Sequence, residues 1–167
     1  DGERGDEILS VVNDWINRDW CCGFSIWQDV IQGLPYKVLG DTPGLSEPAA
    51  STADLVSAYQ NSSIFLNTST VSPVPTVLME AMACGCAVVS TENCMIPEVI
   101  KHGVNGFMTN DPNVMKQYLV DLLNDKGMAK EIGDNARQTI LDRYSTKQFV
   151  DRWQEVLYSA ANITFKG

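Results

Sequence analysis

Glu80 is the one carboxylate in a run of apolar and small residues, TVLMEAMAC, at positions 76–84. Good helix formers dominate this run, and Gly85 stands where a left-handed C-terminal cap is wanted. Ahead of it lies a polar loop, 67–75, whose two prolines cannot donate to a sheet. A helix that starts after such a loop exposes unpaired N–H groups and the positive end of its dipole, so its first turn attracts anions. Glu80 sits about one turn further in, too deep to cap that end. From there it can accept hydrogen bonds from neutral hydroxyls of the same ligand, as carboxylates of dinucleotide folds do from a ribose. The bland alternative is a solvated helix residue beside an ordinary turn.

Few other side chains offer chemistry. Arg18 is the sole cation of the loop WINRDWCCG, 15–23, and is equally explained as a surface partner of Asp14 or Asp19. The single histidine, His102, reads as an exposed residue near a helix end rather than a general base. Five cysteines include the adjacent pair Cys21 and Cys22 and the Cys84-x-Cys86 pair, with Cys94 apart. No second pair has zinc-finger spacing, so no metal site is expected, and the odd number suits reduced thiols in a cytoplasmic setting.

Short apolar runs alternate with helical periodicity along the chain. Strands are expected at 8–12, 36–39, 64–66, 87–90 and 106–109. Helices are expected at 24–31, from the capping pattern Ser51-Thr52-Ala53-Asp54 onward, at 76–84, 98–101, 114–123, 128–144 and 146–160. Residues 45–50 read as a short strand or loop. The alternation predicts an α/β domain: a doubly wound, Rossmann-like parallel sheet with helices on both faces. Ligands bind such folds beyond the carboxyl ends of the strands, where Arg18, Gly40 and the 72–80 segment should converge.

The segment 63–91, together with IPEVIKHGVNGF at 96–107, resembles the signature of the group 1 (family 4) retaining glycosyltransferases, in the C-terminal half of the GT-B fold. Glu80-Ala81-Met82-Ala83-Cys84-Gly85 and Pro97-Glu98-Val99-Ile100 carry the match. The resemblance implies a nucleotide-diphosphate sugar, a UDP- or GDP-sugar, as donor, with no metal or other cofactor. It gives Glu80 the ribose hydroxyls, and the amides of Val74, Thr76 and Val77 the diphosphate and sugar. Arg18 would neutralise the leaving group, and Gly40 belongs to a turn beside the donor. It further implies that the departing phosphate helps deprotonate the acceptor on the same face of the sugar, and that an N-terminal domain of the same protein holds this acceptor.

Four departures bear on these roles. Ser72 stands where the family carries its first glutamate, and would hydrogen-bond the sugar in its stead. Prolines 73 and 75 remove two N–H groups from the loop. Cys22 takes the place of a lysine, which weakens charge neutralisation. Residues 92–95, with bulky Cys94 and Met95, replace a small turn and are expected to alter the pocket floor.

The 167 residues, 44% apolar and one-fifth charged, suit one globular domain, and the abrupt start before the first strand points to a fragment of a two-domain enzyme. A formal charge of −9 argues against nucleic acid or an anionic membrane as the main partner. No apolar run has the length of a membrane span. Besides a transferase, two readings stay open: a non-catalytic nucleotide-sugar-binding or interaction module, and another GT-B enzyme such as a sugar-nucleotide epimerase, which would need more acid and base groups than the sequence offers.

Overall fold

Apolar runs of three to five residues are too short for helices and too continuous for half-exposed strands, so both of their faces need cover. In the computed structural model, which describes residues 4–164, they form one five-stranded parallel sheet. The strands are β1 (Gly5–Val11), β2 (Tyr36–Leu39), β3 (Ser62–Asn67), β4 (Ala87–Ser90) and β5 (Phe107–Met108), in the spatial order β2-β1-β3-β4-β5. Connecting them are α1 (Asp19–Cys22), α2 (Phe24–Ile31), α3 (Thr52–Asn61), α4 (Thr76–Ala83) and α5 (Ile96–Val99), followed by α6 (Pro112–Asn124), α7 (Lys126–Arg143) and α8 (Thr146–Thr164). The doubly wound, Rossmann-like α/β fold expected from the sequence is the one observed.

Alternation along each strand divides the interior in two. Ile8, Ile64, Leu66, Ala87 and Val89 pack with Trp27 and Ile31 of α2 and Met115, Leu119 and Leu122 of α6. Leu9, Val11, Phe65 and Val88 pack on the other face with Tyr59 of α3, Leu78 and Met82 of α4, and Ile96 of α5. Helix α7 serves both layers, giving Ala129 and Ile132 to the first and Ala136 and Ile140 to the second. Helix α8 instead carries Phe149, Trp153 and Leu157 more than half exposed.

The boundaries differ from expectation where local hydrogen bonds override the pattern. The stretch 15–23 is not wholly loop, because Asp19–Cys22 closes a single helical turn that ends on Gly23 at φ 66°. The short helix expected at 98–101 sits earlier, since Pro97 occupies its first turn and Asn105 accepts from the Lys101 amide, folding 101–106 into a turn. Residues 45–50 form a loop fastened by Gly40 N–H to Glu47 and by Ser46 Oγ–H to the Gly40 carbonyl.

The helix carrying Glu80 is fixed at its far end. Gly85, at φ 79°, donates to Met82 and Cys86 donates to Ala81, a paired C-terminal cap. Arg4 then donates to the carbonyls of Ser62, Cys84 and Gly85. Backbone meets backbone here, for a Cβ added to Gly133 of α7 would lie 2.2 Å from the Gly85 oxygen. Gly133→Ala is therefore expected to destabilise the fold by ~1–3 kcal/mol, as overpacking does; an unchanged midpoint in urea denaturation would contradict this close approach.

Candidate functional site

Strand order reverses between β1 and β3, so the segments leaving their carboxyl ends depart to opposite faces and a crevice opens between them. A cleft of about 400 Å³ lies there. One wall comes from Val11, Val12 and Asn13 at the end of β1 with Arg18, Cys21 and Cys22 around α1; the other comes from Ser69, Val71 and Ser72 after β3 with residues 74–77 at the start of α4. The walls are tied together: the Thr70 and Val71 amides donate to the Cys21 carbonyl, Thr68 Oγ–H donates to that of Cys22, and Thr70 Oγ–H to that of Trp20. Beneath, a buried polar chain sets the loop: Asn67 donates to Ser90 Oγ and accepts from Ser69, whose carbonyl accepts from Thr91 Oγ–H.

Helix α4 presents its bare end to this cleft. Pro75 in the N-cap position offers no side-chain cap, and no acceptor among the described residues takes the Thr76 and Val77 amides. Among the described residues no hydrogen bond engages the side chains of Ser72 or Thr76 either. Among the described residues Arg18 is the only charged one lining the cleft and no carboxylate lines it, although the chain as a whole carries a formal charge of −9. Its acidic neighbours lie outside the lining and are engaged locally. Asp14 accepts from Asn17, while Asp19 accepts from the amide and hydroxyl of Ser25, which holds its carboxyl below the usual value. Among the described residues Arg18 forms no ion pair, so neither surface pairing weighed from the sequence occurs.

Cys22, beside Arg18 in the lining, supplies no positive charge. Burial, with a smaller effect from the neighbouring Cys21 thiol, pushes it from the ordinary 9.0 up to about 11, so it faces the cleft as a neutral thiol.

Two of the residues singled out from sequence lie outside the cleft lining. Glu80 is exposed one turn along α4, and its Oε2 accepts a 3.0 Å hydrogen bond from Tyr59 of α3. Burial, and then the charge of Glu80, pushes the Tyr59 hydroxyl well above its ordinary value, which keeps it a donor. Gly40 has φ 127°, and a Cβ there would lie 2.0 Å from the Val12 oxygen; it braces the strand end that forms one wall. Cys94 and Met95 do not reach the cleft, contrary to the expectation of an altered floor. Met95 instead donates its amide to the Pro73 carbonyl, and Cys94, at φ 52°, turns outward. His102 is exposed as expected, but its Nδ1 accepts from the Met108 amide.

Sequence reasoning missed the role of the α1 carbonyls, the Tyr59 hydroxyl and the Asn67 chain. Only Asn67 left a trace, as a polar residue ending an apolar run. No group of three or more potential metal-ligating side chains occurs among the described residues, and no helix there is long and apolar enough to cross a membrane.

With this geometry in view, comparison with known proteins is informative. Residues 48–139 match the family model described as glycosyl transferases group 1. Over 84 residues the chain is 31% identical to N-acetyl-alpha-D-glucosaminyl L-malate synthase of Bacillus anthracis, a match covering 49% of this chain and 22% of that enzyme. Alpha-maltose-1-phosphate synthase of Mycolicibacterium smegmatis is 27% identical over 117 residues, covering 65% of this chain and 30% of the relative. The crystal structure of Anabaena HepE in complex with UDP superposes with a TM-score of 0.77 at 19% identity, over 92% of this chain and 49% of HepE, a likeness of fold. The chain thus spans less than a third of the length of these two enzymes and about half of HepE.

The buried thiols set the alkaline limit of this arrangement. Burial pushes the Cys22 thiol up to about 11 and the Cys86 thiol up to about 12, from the ordinary 9.0 of an unfolded chain. Between these values the folded chain keeps protons that the unfolded chain releases, so stability falls as pH rises. Melting temperature is expected to hold below about pH 9 and decline through pH 11 to 12; a flat profile across that window would contradict the burial of these groups.

Proposed function

Because the chain belongs to the group 1 glycosyl transferases, we propose that its cleft receives the nucleoside-diphosphate sugar of a retaining hexosyl transfer. The observation that carries this reading is the bare start of α4 beside Arg18, in a cleft free of carboxylates on an acidic chain. A diphosphate seated there accepts from the Thr76 and Val77 amides and the Thr76 hydroxyl, with the Val74 amide beside them, and pairs with Arg18. Four residues along a helix is about 6 Å, so the ribose of the same ligand reaches Glu80, whose Oε2 is held by Tyr59. Ser72 is left to hydrogen-bond the transferred sugar, and Gly40 to keep the neighbouring strand end close.

In this mechanism the sugar–phosphate bond breaks, charge accumulates on the leaving diphosphate, and Arg18 with the helix start stabilises it. The departing phosphate oxygen takes the acceptor's proton on the same face of the sugar, so positioning does more than any protein nucleophile. The acceptor belongs to another domain of a longer protein, of which residues 1–167 form the single donor-binding domain; that relatives extend well beyond the match supports this. UDP, the ligand of HepE, is the first nucleotide to test, with GDP as its comparison.

One observation favours a second reading. Neutral Cys22 and Ser72 replace a cation and a carboxylate, which suits a module that binds a nucleotide sugar without transferring it. Nucleotide release by the full-length protein in the presence of acceptor separates the two.

Glu80→Ala is expected to weaken UDP binding about tenfold or more in calorimetry, taking a charged hydrogen bond at ~1.5–3 kcal/mol; unchanged affinity would remove the ribose role. Arg18→Ala should weaken UDP by a similar factor yet leave uridine unaffected, because only the diphosphate meets its guanidinium. Equal loss for both ligands would contradict that assignment.

A further inference from the structure

Cys21 and Cys22 end α1 with their sulfurs 3.6 Å apart. Both are free thiols, 5% and 8% exposed, and both line the cleft, so the small surface they retain faces its interior. Adjacent α-carbons are about 3.8 Å apart, inside the ~4.4 Å at which ordinary disulfide spans begin, so a helical backbone keeps the pair as two thiols. Two neighbouring sulfurs select soft, thiophilic centres. They do not complete a zinc site, since no cluster of three or more ligating side chains occurs among the described residues. What suits them is a centre that needs two sulfurs and brings its own remaining substituent.

We propose that the Cys21–Cys22 dithiol is a chelation site for trivalent organoarsenicals, and that its occupation closes the cleft to nucleotide. With an arsenoxide, two As–S bonds form and the As–O bonds break. Both thiol protons leave with the oxygen as water; arsenic stays trivalent, and no oxidant or reductant takes part. The raised Cys22 proton affinity makes that thiol slow toward alkylating agents, which require thiolate, whereas condensation with the arsenoxide removes the proton as water. The adduct forms on the residues whose carbonyls hold the opposite wall, Cys21 accepting from Thr70 and Val71 and Cys22 from Thr68. It therefore fills the cleft and strains its fastening together. The effect on nucleotide rests on the donor-binding reading above; chelation itself does not.

The test is to titrate the whole chain with phenylarsine oxide in excess monothiol, reading intact mass and UDP affinity. A single arsenical per chain is expected, resistant to monothiol, released by a dithiol, lost in Cys21→Ser and in Cys22→Ser, and kept in Cys84→Ser. Circular dichroism identifies which of the two single variants is folded, and either suffices. UDP should bind the adduct about tenfold or more weakly. Failure to form the adduct, its survival in either folded single variant, or its loss in Cys84→Ser overturns the site. An adduct that binds UDP as the free chain does overturns the closure. Should the unmodified chain not bind UDP, the donor-binding reading falls, while the mass measurement still decides the chelation site.

Discussion

Parallel strands laid side by side can send their chains to the same face or to opposite faces, and only the second choice leaves a gap at their carboxyl ends. Here β1 and β3 make that choice. Everything that resembles a site follows from it. The chain after β1 turns down to build α1 and α2 on one layer, and the chain after β3 crosses to build α4 on the other. The gap would be loose without its lacing, yet the 68–71 segment donates across it to the carbonyls of α1. Those carbonyls are the unpaired end of a single-turn helix, and the loop is their cap.

Charge in this cleft comes from one side chain and from backbone together. One guanidinium and the positive end of an eight-residue helix face an interior from which every carboxylate is absent. Asp14 and Asp19 flank Arg18 in sequence, but each accepts from local amide or hydroxyl donors and neither forms an ion pair with it. The thiol of Cys22 adds no charge and lowers the polarity around it. Opposite charges attract more strongly in such surroundings than in water.

Periodicity made the sheet and most helices legible. The runs at 36–39 and 87–90 and the helix at 24–31 have the observed bounds, because apolar runs broken by Gly, Pro or polar clusters leave little freedom. The capping pattern at Ser51 is also realised, its hydroxyl accepting from the Asp54 amide. The site was legible as the loop and helix start at 72–77 with Arg18 and Cys22 facing them. What could not be read was which partners long-range folding supplies. Tyr59 reaches Glu80 across 21 residues, Arg4 reaches Gly85 across 81, and α1 gains its role only through the loop after β3. None of these pairs shares a periodic pattern, and each depends on which helices the topology makes neighbours. Cys94 and Met95 misled for the same reason, since bulk in sequence says nothing about which way a turn with a left-handed residue will point.

Helix α7 crosses beneath the amino end of β4, its Gly133 seated on Gly85, and inserts side chains into both apolar layers. A layer can then be dismantled only by lifting a rod that the other layer also grips. The two halves of the interior are thereby coupled into one cooperative unit, and amide exchange in β3 and β4 should proceed through global opening rather than through separate excursions of either side.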